Sequence, residues 1–186
     1  QRKNAEQRYR YLFESSRDAI MTLEPPKWNF TSGNPTTLEM FKAKTEREFS
    51  SRSPCQYSPE RQPDGQLSKK KARQMIQKAM EEGTHYFEWN HQRLDGETFP
   101  ATVLLSKLEI GGKKILQATV RDITEQKKAE EKLKKSQEKL RNLNNELEQM
   151  VRERTKKLSS SKKKLRQQNI ELKKLDKIKN DFITML

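Results

Sequence analysis

Two histidines, a single cysteine and many serine and acidic residues are the side chains through which this chain could do chemistry. His85 and His91 stand six apart in a stretch that alternates like a strand. At that spacing the two rings share a face but lie ~20 Å apart, too far for one metal ion to hold both. A zinc site would need ligands from elsewhere, so no metal is expected and both rings are placed at the surface. Cys55 sits in a proline-rich loop, where an unreactive thiol is expected. No histidine lies in a motif that would activate a nucleophile. There is no glycine-rich phosphate loop and no Walker-type lysine. Enzyme activity is not expected of these residues; binding and relay remain.

Composition narrows the class further. The 186 residues are 31% hydrophobic and 35% charged, with a net charge of +14, far more charge than the globular average. Residues 1–122 hold 21 basic against 16 acidic side chains (+5), and residues 123–186 hold 19 against 10 (+9). The basic residues of the second stretch alternate with Glu at helical spacing, as on a solvated helix face. Nucleic-acid binding is therefore not the expected main function. One cysteine rules out an internal disulfide and fits a reducing compartment. No apolar run approaches the ~18 residues of a bilayer span, and no signal peptide is present. A cytoplasmic location is expected. The chain opens on Gln1 and stops at Leu186 in mid-pattern, which reads as a piece of a longer protein; a membrane anchor elsewhere in that parent is compatible with this.

The elements that would position any site divide at Arg121-Asp122-Ile123-Thr124. After this junction, residues 125–186 contain neither proline nor glycine and read as one charged helix. Asp122 ends a strand pattern and is also a candidate helix N-cap, with Glu125 three residues on as a capping-box partner. Before the junction, residues 2–15 read as a short amphipathic helix carrying Tyr9, Leu12 and Phe13 on one side. Strands are predicted over 18–23 and 28–32, stopped by Pro25-Pro26 and Gly33-Asn34-Pro35. A short helix capped by Thr36 or Thr37 holds Leu38, Met40 and Phe41. Residues 46–67, with Pro54, Pro59, Pro63 and Gly65, predict turns without regular structure.

A better helix follows Ser68. Ala72, Met75, Ile76, Ala79 and Met80 form a one-sided stripe that Gly83 ends. Three strands come next, over 85–93, 98–109 and 114–122, joined by tight turns at Asp95-Gly96 and Gly111-Gly112. Leu116, Ala118 and Val120 share one face of the last strand. Together these elements predict an α+β domain: an antiparallel sheet with helices on one face.

Phe87-Glu88-Trp89, Asp95-Gly96 and Arg121-Asp122-Ile123-Thr124, with Asp18-Ala19-Ile20 and Asn34 upstream, resemble the PAS domain, a family of intracellular sensor modules. The element order agrees throughout residues 9–124, with residues 1–8 as a flanking helix. The resemblance implies the PAS fold: a five-stranded antiparallel sheet in the order 2-1-5-4-3, and a cavity between sheet and long helix. Residues whose spacing turns them toward that cavity are Ile20, Phe30, Phe41, Met75, Ile76, Met80, Phe87, Trp89, Val103, Leu105, Leu116 and Ala118. A small-molecule ligand among them is expected from the family habit and from the adaptable Met-rich helix. Haem-binding relatives usually take a histidine from the long helix, and residues 68–82 contain none. Flavin-thiol photosensors carry Asn-Cys-Arg-Phe where Pro54-Cys55-Gln56-Tyr57 stands here. Neither haem nor flavin is expected, and the identity of any cofactor stays open.

In the tail, Leu133, Ser136, Leu140, Leu143 and Leu147 step by threes and fours, as do Leu158, Ser161, Leu165, Gln168, Leu172 and Leu175. That is the heptad pattern of a coiled coil. Between the two runs, Leu147, Val151, Thr155 and Leu158 step 4, 4, 3, a stutter that locally unwinds a supercoil. The seam predicts a parallel homodimer, with a helix roughly 95 Å long. Leu147-Glu148, Val151, Glu153-Arg154-Thr155 and Leu158 are similar to the connecting helix of sensor histidine kinases. Residues 176–186 resemble the start of their dimerisation and phosphotransfer helix. The sequence stops before the phosphoacceptor histidine of that family, so this fragment is not expected to autophosphorylate.

The resemblance thus implies a sensory input module: a PAS domain over 9–124, a coiled-coil signalling helix over 125–175 and the opening of a kinase core. A ligand or partner would shift the last strand and re-aim the helix through Arg121, Asp122, Ile123 and Thr124, with a response regulator downstream of the parent. In the family Asp122 and Thr124 would bond back to the sheet. Two alternatives stay open: a cyclase or transcription regulator as the parent's output, or direct binding of nucleic acid or membrane by the basic tail.

Overall fold

The computed structural model describes residues 2–184. In order come helix α1 (Arg2–Glu14), strands β1 (Ala19–Glu24) and β2 (Asn29–Gly33), helices α2 (Pro35–Phe41) and α3 (Glu46–Ser50), a 3-10 turn (Pro54–Tyr57) and helix α4 (Ser68–Glu82). Strands β3 (Thr84–Gln92), β4 (Thr98–Ile110) and β5 (Lys113–Asp122) follow, and then helix α5 (Thr124–Thr184). One compact unit ends at Ala129 and a second begins at Glu130.

The strands form one antiparallel sheet in the order β2-β1-β5-β4-β3, as the resemblance implies. Alternation explains its two faces, since successive side chains of a strand point opposite ways. On β5, Leu116, Ala118 and Val120 are buried while Gln117 and Thr119 are half-exposed. Gly111 and Gly112 both take positive φ (+59° and +76°) in the β4–β5 turn, backbone that glycine adopts without a Cβ penalty. Across the sheet Met21 pairs with Ala118, and Val103 pairs with Val120.

Strand β1 corrects one expectation. Ala19, Met21 and Leu23 are its buried residues, and Ile20 lies on the opposite face, half-buried. A one-residue slip moves every side chain of a strand to the other face. Here the hydroxyl of Thr22, on the Ile20 face, pairs with Thr31 (2.7 Å) and Ser32 (2.6 Å), which places the polar register there.

Asn34, not Thr36 or Thr37, caps α2: its Oδ1 accepts from the Thr37 N–H at 3.0 Å. The same Oδ1 accepts from the Ile20 N–H, and Nδ2 donates to the carbonyls of Phe13 and Asp18. Asn34 thus ties α1, β1 and α2 together, and it is fully buried. The stretch 46–67 is also more regular than expected. Thr45 caps α3 through the Glu48 N–H, and the Tyr57 hydroxyl donates to the Phe49 carbonyl at 3.1 Å. Phe49 and Tyr57 pack into an aromatic cluster with Phe30 and Phe41. Burial of these two rings gives the short segments an anchorage that proline-rich local sequence does not signal.

In α1 the Tyr9 and Phe13 rings stack at 6.0 Å, while Tyr9 and Leu12 remain exposed. Among the described residues no helix is long and apolar enough to cross a membrane.

Candidate sensory cavity and helix junction

Between the inner face of the sheet and α4 lies a cavity of about 70 Å³. Of the residues expected to face it, Phe30, Met75, Ile76, Phe87, Trp89, Val103, Leu105 and Ala118 line it. Phe41 and Leu116 are packed in the core with no exposure and do not line it. Met80 does not line it and packs, partly buried, against the core, and Ile20 is on the other sheet face. Met21, Leu23 and Val120 line the cavity in addition, as do Pro54 and Cys55 from the 3-10 turn. The β1 residues follow from the corrected register; Pro54 and Cys55 reach the cavity because the 3-10 turn packs beside α4.

The polar groups of the lining are mostly paired. The Trp89 indole N–H donates to Ser58 Oγ at 3.0 Å. Ser68 Oγ donates to the Pro59 carbonyl and accepts from Gln62 Nε2. Gln62 in turn receives the Asn90 N–H and donates to the Asn90 carbonyl, which fastens the α3–α4 connection to β3.

The histidines are not both surface groups. His85 is half-buried, with Nε2 3.2 Å from Met75 Sδ and its ring stacked on Phe87. His91 lies edge-to-face with Phe41 and stacked on Phe99, with Nδ1 3.1 Å from the Tyr57 carbonyl. The residue as a whole keeps partial exposure, yet its Nε2 is shut from solvent and has no hydrogen-bond partner among the described residues. Burial pushes its pKa down to about 4, against opposing pulls from the Tyr57 carbonyl and Asp122. The ring is therefore neutral at pH 7. No cluster of three or more potential metal-ligating His, Cys, Asp or Glu side chains occurs among the described residues.

At the junction, β5 ends at Asp122 and α5 begins at Thr124. Asp122 Oδ1 accepts from the Thr124 N–H (2.9 Å) and hydroxyl (2.6 Å), an Asx turn just ahead of the helix. Its Oδ2 accepts from Arg93 Nη2 at 2.7 Å. The expected capping box does not form: Asp122 accepts from Thr124 and not from the Glu125 N–H, and Glu125 bonds Lys128 at 2.9 Å. Burial raises the Asp122 carboxyl, but the bonds from Thr124 and Arg93 outweigh it and hold the group below its ordinary value. Ile123 is buried, and its N–H donates to the Pro100 carbonyl of β4 at 3.0 Å. Arg121 forms a two-pronged pair with Asp18 at 2.8 and 2.7 Å, joining β5 to the approach of β1.

Arg93 escaped the sequence reading. Its guanidinium lies 4.0 Å from the Phe99 ring centroid and also bonds the Met40 carbonyl and Glu97. One side chain thus touches α2, the β3–β4 turn, an aromatic next to His91, and Asp122. Arg93 stands one residue past the end of β3, where the turn to β4 begins, and no spacing in the sequence points from it to Asp122.

The PAS domain family model matches residues 17–125, more than half of the chain. No curated protein matches it. Among solved structures, a PAS domain from a two-component sensor histidine kinase is 17% identical (TM-score 0.53), over 66% of this chain and 99% of that one. The PAS domain of an HTR-like protein from Haloarcula marismortui is 22% identical (TM-score 0.51), over 65% and 93%. The PAS domain of nitrogen regulation protein NR(II) from Vibrio parahaemolyticus is 13% identical (TM-score 0.51), over 62% and 97%. These likenesses are of fold. With the family match, the five-stranded sheet and the helix-covered cavity, they lead to one conclusion: the chain belongs to the PAS domain family, whose members are sensory, non-catalytic domains.

Proposed function

We propose that this chain is the cytoplasmic input module of a two-component sensor histidine kinase. Residues 9–124 sense, residues 125–175 form a parallel two-stranded coiled coil, and residues 176–186 open the dimerisation and phosphotransfer helix. Met185 and Leu186, which enter that last assignment, lie outside the described residues. A response regulator would be the downstream partner of the parent protein.

The observation that carries this reading is the junction. Only Ile123 separates the last strand from α5, and Asp122 is held by Arg93 on one side and Thr124 on the other. No flexible linker intervenes to absorb a movement of β5, which lines the cavity through Ala118 and Val120. Occupancy that moves this strand moves the helix start, and a differential affinity of a few kcal/mol is enough to shift a two-state equilibrium. The seam supports the second half of the reading. Leu133, Leu140, Leu143, Leu147, Val151, Leu158, Leu165, Leu172 and Leu175 are between 54% and 71% exposed in the single chain, and their heptad spacing fits a second copy of the same helix. The histidine kinase neighbour lends support for the output.

Fusion of residues 1–186, in heptad phase, to a histidine kinase core lacking its own input tests the proposal. Filling the cavity with Ala118→Leu should change the rate of histidine phosphorylation. Asp122→Ala should abolish that change while the domain stays folded. Phosphorylation indifferent to both substitutions would contradict the relay.

A further inference from the structure

Outside the inner cavity, a groove runs between the β1–β2 turn, the 3-10 turn and the first half of α4. It holds about 450 Å³, within the ~300–1,000 Å³ of small-molecule sites. Pro54, Cys55, Ala72 and Ile76 line both the groove and the cavity, so the two share a wall. Three cations stand around the groove, and its lining among the described residues includes no carboxylate. Lys27 comes from the β1–β2 turn, while Lys69 and Arg73 lie four apart on α4 and so on one face of it. All three are exposed, and their side chains make no hydrogen bond or ion pair among the described residues. Lys71 on the same helix differs, since Asp64 pairs with it at 2.8 Å. The first turn of α4 holds no acidic residue, although the helix dipole favours negative charge there and opposes Lys69. The positive charge of the groove thus goes uncompensated within the described chain.

Trp28 supplies the other half of the site. It lines the groove while packing, partly buried, against the core. Its φ of +56° is rare for a bulky side chain, and backbone of this kind collects at ligand clamps. An indole held beside three cations suits a molecule that is flat and aromatic at one end and anionic at the other. We propose that this groove is a binding site separate from the cavity, taking a small planar aromatic carboxylate. Its ring packs on Trp28, and its carboxylate is held by Lys27, Lys69 and Arg73. The site does not depend on the relay, although an occupant would bear on the wall it shares with the cavity.

2-Naphthoate and 2-naphthamide are matched in shape and differ in charge, so they serve as probes. Both are too large for the inner cavity, which at about 70 Å³ is roughly half of the ~150 Å³ that admits benzene. Isothermal titration calorimetry on the full chain should find naphthoate bound about tenfold or more tightly than naphthamide, the worth of a charge-assisted hydrogen bond. Lys69→Gln with Arg73→Gln should remove most of that preference. Trp28→Leu should weaken both probes by about two- to tenfold. Lys163→Gln with Lys164→Gln, an equal loss of charge on α5, should change neither affinity. Equal affinity for the two probes, an effect of the α5 pair as large as that of the α4 pair, or binding of neither probe would overturn the proposal. Lys69 and Arg73 are exposed, so should Trp28→Leu fail to fold, the charge substitutions decide alone.

Discussion

Between Ala19 and Ile123 the large apolar side chains mostly turn into one another; between Leu133 and Ile178 they turn to solvent. Phe41, Phe49, Tyr57 and Leu116 have no exposure at all, whereas Leu158 is 71% exposed. The first region satisfies its hydrophobic residues within one copy. In the second, α5 lays its leucines along one stripe, where one helix has nothing to cover them with. The contrast teaches that one sequence encodes two kinds of structure: a self-sufficient core, and a surface whose burial depends on another molecule. Charge differs too: ion pairs of the first region include ones that link distant segments (Arg93–Asp122, Arg121–Asp18), whereas Lys135–Glu131 and Arg152–Glu148 in the second link neighbours on one helix.

The contrast breaks most visibly at the seam. Replacing Leu140 and Leu147 together by Lys removes four leucines from a dimer, at ~1.5–3 kcal/mol each. Sedimentation equilibrium should then find only monomer, with the near-ultraviolet signal of the sensor core unchanged. Next in size is the core itself. Phe41→Ala removes a ring that meets Phe49, Tyr57, His91 and Phe99 and should cost about 3–5 kcal/mol in chemical denaturation.

A smaller effect sharpens the comparison through pH. His91, held near pKa 4 when folded, takes up its proton more readily unfolded, at an ordinary value of ~6.5. Its contribution is therefore complete above pH ~6.5 and is lost as pH falls toward 4, by about 1–3 kcal/mol. Melting temperature followed from pH 7 to 4 should fall more steeply in the unaltered protein than in His91→Phe. Asp122, held below its ordinary value, acts in a lower window. Its contribution is present above pH ~4 and is lost as pH falls further, while Asp122→Ala should cost about 1–3 kcal/mol at pH 7 by removing the acceptor of Arg93 Nη2 and of the Thr124 N–H. Smallest of all, the exposed pair between Lys127 and Glu88 (2.6 Å) should change stability by less than about 1 kcal/mol when Lys127→Ala is made.

Much of the fold was legible wherever a pattern repeats. The β5 alternation, the α4 stripe with Gly83 at its end, and the turns at Asp95-Gly96 and Gly111-Gly112 follow from periods of two and 3.6 and from glycine's freedom at positive φ. What stayed hidden depends on contacts between distant segments. Ile20 was assigned to the wrong face because β1 is short and alanine at position 19 is a weak marker of burial. The α3 turn was hidden in a stretch rich in proline and polar residues; the Thr45 cap and the Phe49 and Tyr57 rings buried against Phe41 hold it in place. His91 reads as an ordinary strand histidine until Tyr57, 34 residues away, presents its carbonyl. Arg93 reads as the end of a strand until Asp122 comes within reach. Composition and spacing report neither meeting.

The pairing of α5 with a second copy, parallel and in register, is the claim on which the relay rests. Disulfide cross-linking at seam positions tests it directly, since identical seam residues face each other in such a coil and bridging requires Cα atoms within about 7 Å. In a Cys55→Ser background, Ser136→Cys and Gln168→Cys should each give covalent dimers under mild oxidation, and Glu138→Cys, off the seam, should give few. Cross-linking at neither seam position, or as readily at 138 as at 136, would contradict the account.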